Sequence, residues 1–193
     1  MKTLLSLLFL SSLTALCQPA QIILLRHAEK PQDPSAMHLS TRGEERARML
    51  PSLLGTNSSI TRGMPVAALY ATRITKHDHS QRTSETLSPL AASLKEPIQA
   101  PYSSEHFALL AHGILTNSAY LGKTVVICWT HHNLAEFAAS LGVSPKPSPW
   151  KERTYDRLWV LRFTRAIPQF EELPQGLLPG DSQFQPSVER RRL

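Results

Sequence analysis

Cysteine is nearly missing from this chain of 193 residues. The two present, Cys17 and Cys128, are too few for the disulfide framework that small exported domains depend on. No uninterrupted apolar run of 18 or more residues occurs, so stable insertion in a membrane is not expected. Aromatic residues make up only 7% of the chain, and no basic stripe with interleaved aromatics exists. That sets nucleic acid aside as a partner in spite of the net charge of +6. Internal repeats are also lacking. What remains, a chain that is 41% hydrophobic, supports one domain with a full core.

The start of the chain stands apart from that domain. Met1-Lys2 supplies a positive charge, and the apolar stretch from Leu4 to Leu16 has the length of a secretory h-region rather than of a membrane span. Ala15-Leu16-Cys17 offers small residues at the −3 and −1 positions, which predicts a signal peptide over residues 1–17 and cleavage before Gln18. Lipidation of Cys17 is the alternative, with Leu16 a poor residue in front of a modified cysteine. The expected location is therefore secreted or periplasmic. Cleavage removes Lys2 and no acid, leaving a net charge of +5 and Cys128 as the remaining cysteine. A modest basic excess suits anionic substrates.

Beyond the leader, strand and helix signals alternate. Ile22–Leu25 reads as a buried strand, and a loop from Glu29 to His38 follows, with Pro31 and Pro34 barring a helix. Ser40 or Thr41 then caps a helix to about Leu54, bent at Pro51. A second strand is predicted over Val66–Ala71, a helix from about Ser80 to Leu94 kinked at Pro89, and a third strand over Pro97–Ser103. A helix from Phe107 to about Leu115, a strand over Thr124–Trp129, a helix over Leu134–Leu141 ended by Gly142, and a last strand over Arg157–Phe163 complete the series. This alternation predicts an α/β domain, a three-layer α/β/α sandwich on a mostly parallel sheet, spanning residues 18–170. From Glu171 onward Pro174, Pro179 and Pro186 interrupt a polar tail that ends in three arginines, so residues 171–193 are expected to be extended or disordered.

Two strand ends hold the chemistry. The first strand runs into Arg26-His27 and the fourth into Thr130-His131-His132. Residues just past the carboxyl ends of parallel strands face the crevice where open α/β sheets bind ligands. Arg82 opens a predicted helix, where free backbone N–H groups and the helix dipole already favour an anion. Two arginines and two histidines converging on one point make a phosphate pocket, because the guanidinium fork matches a tetrahedral oxyanion.

These segments together resemble the histidine phosphatase superfamily, the phosphoglycerate-mutase-like fold, in its smaller branch. Arg26-His27-Ala28 stands where that family has Arg-His-Gly, and Arg82-Thr83-Ser84-Glu85-Thr86 resembles its second arginine segment. Thr130-His131-His132 resembles its Ser-His-Gly, and Leu39-Ser40-x-x-Gly43 its Leu-Thr-x-x-Gly. The likeness covers roughly residues 22 to 163. It implies a phosphatase that hydrolyses phosphomonoesters through a phosphohistidine on His27, with Arg26, Arg82 and His131 holding the phosphoryl oxygens. It also implies a general acid, for which Glu105 is the counterpart by position; Glu29 and His132 are further candidates. Lys30 and His132 are expected at the rim as substrate-binding groups. The implied partner is a small phosphorylated substrate, with no cofactor and no metal.

Competing readings are weighed from the same residues. His77-Asp78-His79 has the look of a metal-ligand cluster, but ligands on one loop without further acids at set spacing are uncommon, and a solvated loop is the expectation. A non-catalytic phosphate- or phosphosugar-binding module would keep the pocket and lack the acid. Trp129 and Trp159 fall in strands and are expected to pack; Trp150 is placed at the site mouth. Tyr155-Asp156-Arg157 reads as a turn with a local ion pair.

Overall fold

The computed structural model describes residues 18–164 and 167–183. The leader 1–17 and the terminal arginines lie outside the described residues. In chain order the elements are β1 (Gln21–Arg26), α1 (Thr41–Leu54), β2 (Val66–Tyr70), α2 (Arg82–Leu94), β3 (Ile98–Gln99), α3 (Phe107–Thr116), β4 (Thr124–Trp129), α4 (Leu134–Ser140), β5 (Arg157–Arg162) and β6 (Gln169–Pro174). No helix among the described residues is long and apolar enough to cross a membrane.

The strands form one sheet in the order β3-β2-β4-β1-β5-β6. The first four are mutually parallel, and β5 and β6 are antiparallel to their neighbours. Strands β1 and β4 are buried at every residue, as strands covered on both faces must be. Their side chains divide by alternation. Ile23, Leu25, Val126 and Cys128 pack with Leu50 and Leu54 of α1 and Leu87 and Leu90 of α2. Ile22, Leu24, Val125, Ile127 and Trp129 pack on the other face with Leu110 and Ile114 of α3 and Phe137 and Ala138 of α4. The result is the expected three-layer sandwich.

The division between faces positions the site. β1 leads into α1 on one face, while its neighbour β4 leads into α4 on the opposite face. The two connections diverge and open a crevice between the carboxyl ends of the central strands. The register pairs Arg26 with Trp129, so His27 and His131 both emerge at that edge.

Two sequence expectations are corrected. The third strand is two residues long instead of running through Pro97–Ser103, because Pro101 has no N–H to give a ladder and the strand lies at the sheet edge. The segment from residue 171 is not a free tail as far as Gln183: β6 pairs along the whole of β5, and the chain beyond it packs on the domain. The sequence Gln-Phe-Glu-Glu-Leu-Pro is too polar to read as a strand, but its acids meet partners across the ladder. Glu171 pairs with Arg162, and Glu172 accepts from Trp159 Nε1 at 2.7 Å and lies 3.3 Å from Arg157 Nε.

The loop after β1 is pressed onto the start of α1. Ser40 caps that helix, accepting from the Gly43 N–H at 3.2 Å, and its own N–H donates to the Glu29 carbonyl at 2.9 Å. A Cβ on Gly43 would stand 2.3 Å from the Glu29 carbonyl oxygen, so only glycine allows this approach. Gly43→Ala should therefore cost about 1–3 kcal/mol in denaturant unfolding. An unchanged midpoint would show that the loop is not held there.

Candidate active site

Arg26, His27 and His131 are all buried, with His27 4% exposed and His131 8%. Arg26 is fixed from the side of the β5 approach. Its guanidinium lies 4.1 Å from the centre of the Tyr155 ring, one terminal nitrogen donates to the Glu152 carbonyl, and the other reaches the Tyr155 hydroxyl at 3.4 Å. Arg82, the first residue of α2, donates through Nη1 to the Ala36 carbonyl at 3.0 Å. The loop supplying that carbonyl is itself tied to α2, because Gln81 N–H donates to Met37 and Glu85 accepts from His38 and the Leu39 N–H. Both guanidinium groups are thus held by their far ends. The Nε of each is buried and has no protein partner. Buried N–H donors are normally satisfied, and these two are exceptions.

The His27 ring is fixed in one tautomer. Its Nδ1 lies 2.7 Å from the Ala28 carbonyl, an acceptor, so Nδ1 bears the hydrogen and Nε2 keeps the lone pair. Ala28 is fixed in turn: its N–H donates to Thr86 Oγ1 at 2.9 Å, and that hydroxyl donates to the Arg82 carbonyl at 2.6 Å. One threonine of α2 therefore links the His27–Ala28 peptide to the helix turn that presents Arg82. Burial pushes the His27 imidazole down to about 3, opposed by the Ala28 hydrogen bond and helped by the charges of Arg26 and Arg82. Burial likewise pushes His131 down to about 3, with Arg26, His132, Lys30 and Arg82 acting in the same direction. Both rings are neutral at physiological pH. The charges of Arg26 and Arg82 thus act on both rings, although the four residues are far apart along the chain.

The rim is built from the remaining residues. His132 is exposed and its ring lies against that of His131, with centroids 3.8 Å apart. Lys30 is half-buried, 3.9 Å from a Glu152 carboxylate oxygen. Glu105 sits on an exposed 3-10 turn, Ser104–His106, whose Ser104 carbonyl accepts from Trp129 Nε1 and Asn133 Nδ2 and so is clamped to the end of β4. Among the described residues no carboxylate forms an ion pair or hydrogen bond with His27 or His131. Glu29 is engaged elsewhere, accepting from Arg46 at 2.7 and 2.9 Å and from Arg42 Nε at 3.3 Å.

Behind Glu29 lies a network with no signal in the sequence. Arg46, 2% exposed, is gripped on its other side by Asp181 through two 2.7 Å bonds. Burial would lower the Arg46 guanidinium, but the bonds to Asp181 and Glu29 raise it above its ordinary value. Burial would raise the Asp181 carboxyl, yet the bonds from Arg46 and the Leu178 amide hold it below the usual carboxylate range. Gln175 accepts from Arg46 and donates to the Tyr155 and Arg157 carbonyls, and the Ser182 N–H donates to Asp156 at 2.7 Å. One segment after β6 therefore grips both the loop after β1 and the turn that supports Arg26. Its contacts to Arg46 join residues 129 and 135 positions apart, which no local pattern announces.

Other expectations resolve plainly. Trp150 is buried against Trp159, with ring centroids 4.8 Å apart, instead of bordering the mouth, and Tyr155 takes the place nearer the site. Trp129 and Trp159 pack in the core. The Asp156–Arg157 ion pair exists at 3.6 Å. Asp78 is used within its own loop, accepting from the Ser80 N–H, and among the described residues no three His, Cys, Asp or Glu side chains gather as a metal set. The Cys128 thiol is fully buried, which raises it far above its ordinary value and leaves it unreactive.

No family model matches the sequence, and no curated protein does. Solved structures do. A candidate alpha-ribazole-5'-P phosphatase from Escherichia coli K-12 superposes with a TM-score of 0.54 at 11% identity, covering 81% of this chain and 97% of that one. A candidate phosphohistidine phosphatase SixA from Agrobacterium tumefaciens gives 0.49 at 15% identity over 80% and 98% of the two chains. YhfR from Bacillus stearothermophilus gives 0.47 at 13% identity over 78% and 94%. At such identities the likeness is one of fold. The chain shares the α/β fold of the Escherichia coli protein.

The neutral imidazoles have a consequence for stability. Both histidines are depressed in the folded state, to about 3, whereas an unfolded chain binds their protons near 6.5. Between those values the unfolded state holds more protons, so their contribution is complete above about pH 6.5 and is lost as pH falls toward 3. Unfolding free energies measured from pH 7 to pH 4 should fall less steeply in His27→Gln/His131→Gln than in the wild type. Equal slopes would mean that the imidazoles are not held neutral.

Proposed function

We propose that the protein is an exported phosphatase that hydrolyses phosphomonoesters through a phosphohistidine on His27. The observation that supports this best is the tautomer. With Nδ1–H given to the Ala28 carbonyl, Nε2 carries a free lone pair, and the charges of Arg26 and Arg82 act on the same ring. A histidine held neutral by burial needs no separate base to act as a nucleophile.

In the first step the Nε2 lone pair attacks phosphorus, the P–N bond forms, and the bond to the ester oxygen breaks with its electron pair leaving on that oxygen. Charge builds on the equatorial oxygens, where Arg26 and Arg82 donate. His131 lies beside them as a neutral ring able to donate one hydrogen bond. These donors are anchored before substrate arrives, by Tyr155 and Glu152 for Arg26 and by Ala36 for Arg82, so little reorganisation is needed. The Ala28 carbonyl supports the positive charge that His27 acquires once phosphorylated. Water then attacks phosphorus, the P–N electrons return to Nε2, and phosphate leaves. The chemistry uses side chains alone, with no metal or cofactor in any step. The expected substrates are small or exposed phosphomonoesters.

A phosphate- or phosphosugar-binding module is the second reading, favoured by the lack of a carboxylate against either imidazole. Turnover separates the two. An activated aryl phosphate should be hydrolysed, in excess chelator as without it, and His27→Ala should abolish both turnover and the trapped phosphoenzyme while the fold persists. Arg82→Ala should lower kcat/KM by roughly 100- to 1,000-fold, the usual effect of removing one fixed donor to a transition-state oxyanion, and weaken vanadate inhibition. No hydrolysis by folded wild type between about pH 4 and 9 would favour the binding module, since an activated leaving group needs little protonation.

A further inference from the structure

We propose that His132 is the group that protonates the leaving oxygen, an inference that rests on the phosphatase reading above. In-line displacement places the leaving oxygen on the side of phosphorus opposite the nucleophile. His27 is buried, so the leaving oxygen points toward solvent. His132 is exposed, with its ring centroid 3.8 Å from that of the buried His131.

The other proton donors near the crevice are committed. Both Glu29 oxygens are taken up by Arg46 and Arg42. His131 is buried and held neutral, pressed down to about 3. Lys30 lies beside Glu152. Glu105 projects from an exposed turn and bonds to neither buried imidazole. Histidine is the side chain that gains and loses a proton readily near neutrality.

His132 faces His131 directly, ring against ring. In the first step the P–O bond breaks, its electron pair takes the proton from the His132 imidazolium, and the alcohol departs from neutral His132. In the second, neutral His132 accepts a proton from the attacking water as the P–O bond forms, and the P–N pair returns to His27. The cycle restores every group.

The test compares 4-nitrophenyl phosphate, whose leaving group needs no proton, with glycerol 2-phosphate, whose alkoxide does. His132→Gln should lower kcat/KM, which reads only the steps through departure of the leaving group, by about 100-fold or more for the alkyl ester, the usual worth of general acid catalysis, and by less than about 3-fold for the aryl ester. The selective loss on the alkyl ester should not appear in Glu105→Gln. Equal losses on both esters, no loss on either, or the selective loss appearing in Glu105→Gln would overturn the assignment. So would wild type that turns over the aryl ester alone, for then no acid operates. A wild type inert toward both esters refutes the phosphatase reading itself, and this inference with it.

Discussion

The parallel pairing of β1 with β4 is the constraint from which the site follows. Each strand ends in a histidine, and the register sets those ends side by side, with Arg26 opposite Trp129. The chain then leaves β1 for one face of the sheet and β4 for the other. A crevice has to open where the two paths part. Had α1 and α4 packed on the same face, their first turns would have closed over the imidazoles. The pairing is also buried at every residue, so the part of the molecule that fixes the histidines is its least deformable part.

Around that edge the structure gathers like charge, which has to be held in place. Arg26 and Arg82 are each fixed by carbonyl acceptors at the ends of their guanidinium groups, and Arg26 also lies over the Tyr155 ring. Burial and these neighbouring cations act in one direction on the imidazoles, keeping His27 and His131 neutral. The same field that would repel a proton attracts an oxyanion. Compensating acids sit one layer back: Glu29 and Asp181 enclose Arg46, and Glu152 lies outside by Lys30. Positive potential is thus directed into the crevice while negative groups brace its walls. Breaking such a buried pair by removing one partner commonly costs about 3–5 kcal/mol, so the bracing is also part of the fold's stability.

The sequence foretold the elements whose signals are local. Apolar runs marked β1, β2, β4 and β5, and the position of Arg82 on the first turn of α2 followed from the polar segment before it. Arg26, His27, Arg82 and His131 were legible because each stands at an element boundary, where strand ends and helix starts point into a crevice. Ser40, and not Thr41, proved to be the cap, with Gly43 needed for the approach to Glu29. What escaped was non-local. β6 is polar in composition and becomes a strand only because Arg157, Trp159 and Arg162 await its acids. Asp181, in a proline-broken stretch, gave no hint of burial, and nothing local marked Arg46 as its partner. Trp150, expected at the mouth, is buried instead because it stacks on Trp159.

A structure of the protein with orthovanadate tests the central claim most directly, because vanadate adopts the five-coordinate geometry of phosphoryl transfer. The account predicts one vanadate in the crevice, bonded to His27 Nε2, with the guanidinium groups of Arg26 and Arg82 donating to its equatorial oxygens and His131 beside it. Vanadate bound elsewhere, or in the crevice without contact to His27 Nε2 and both guanidinium groups, would contradict it.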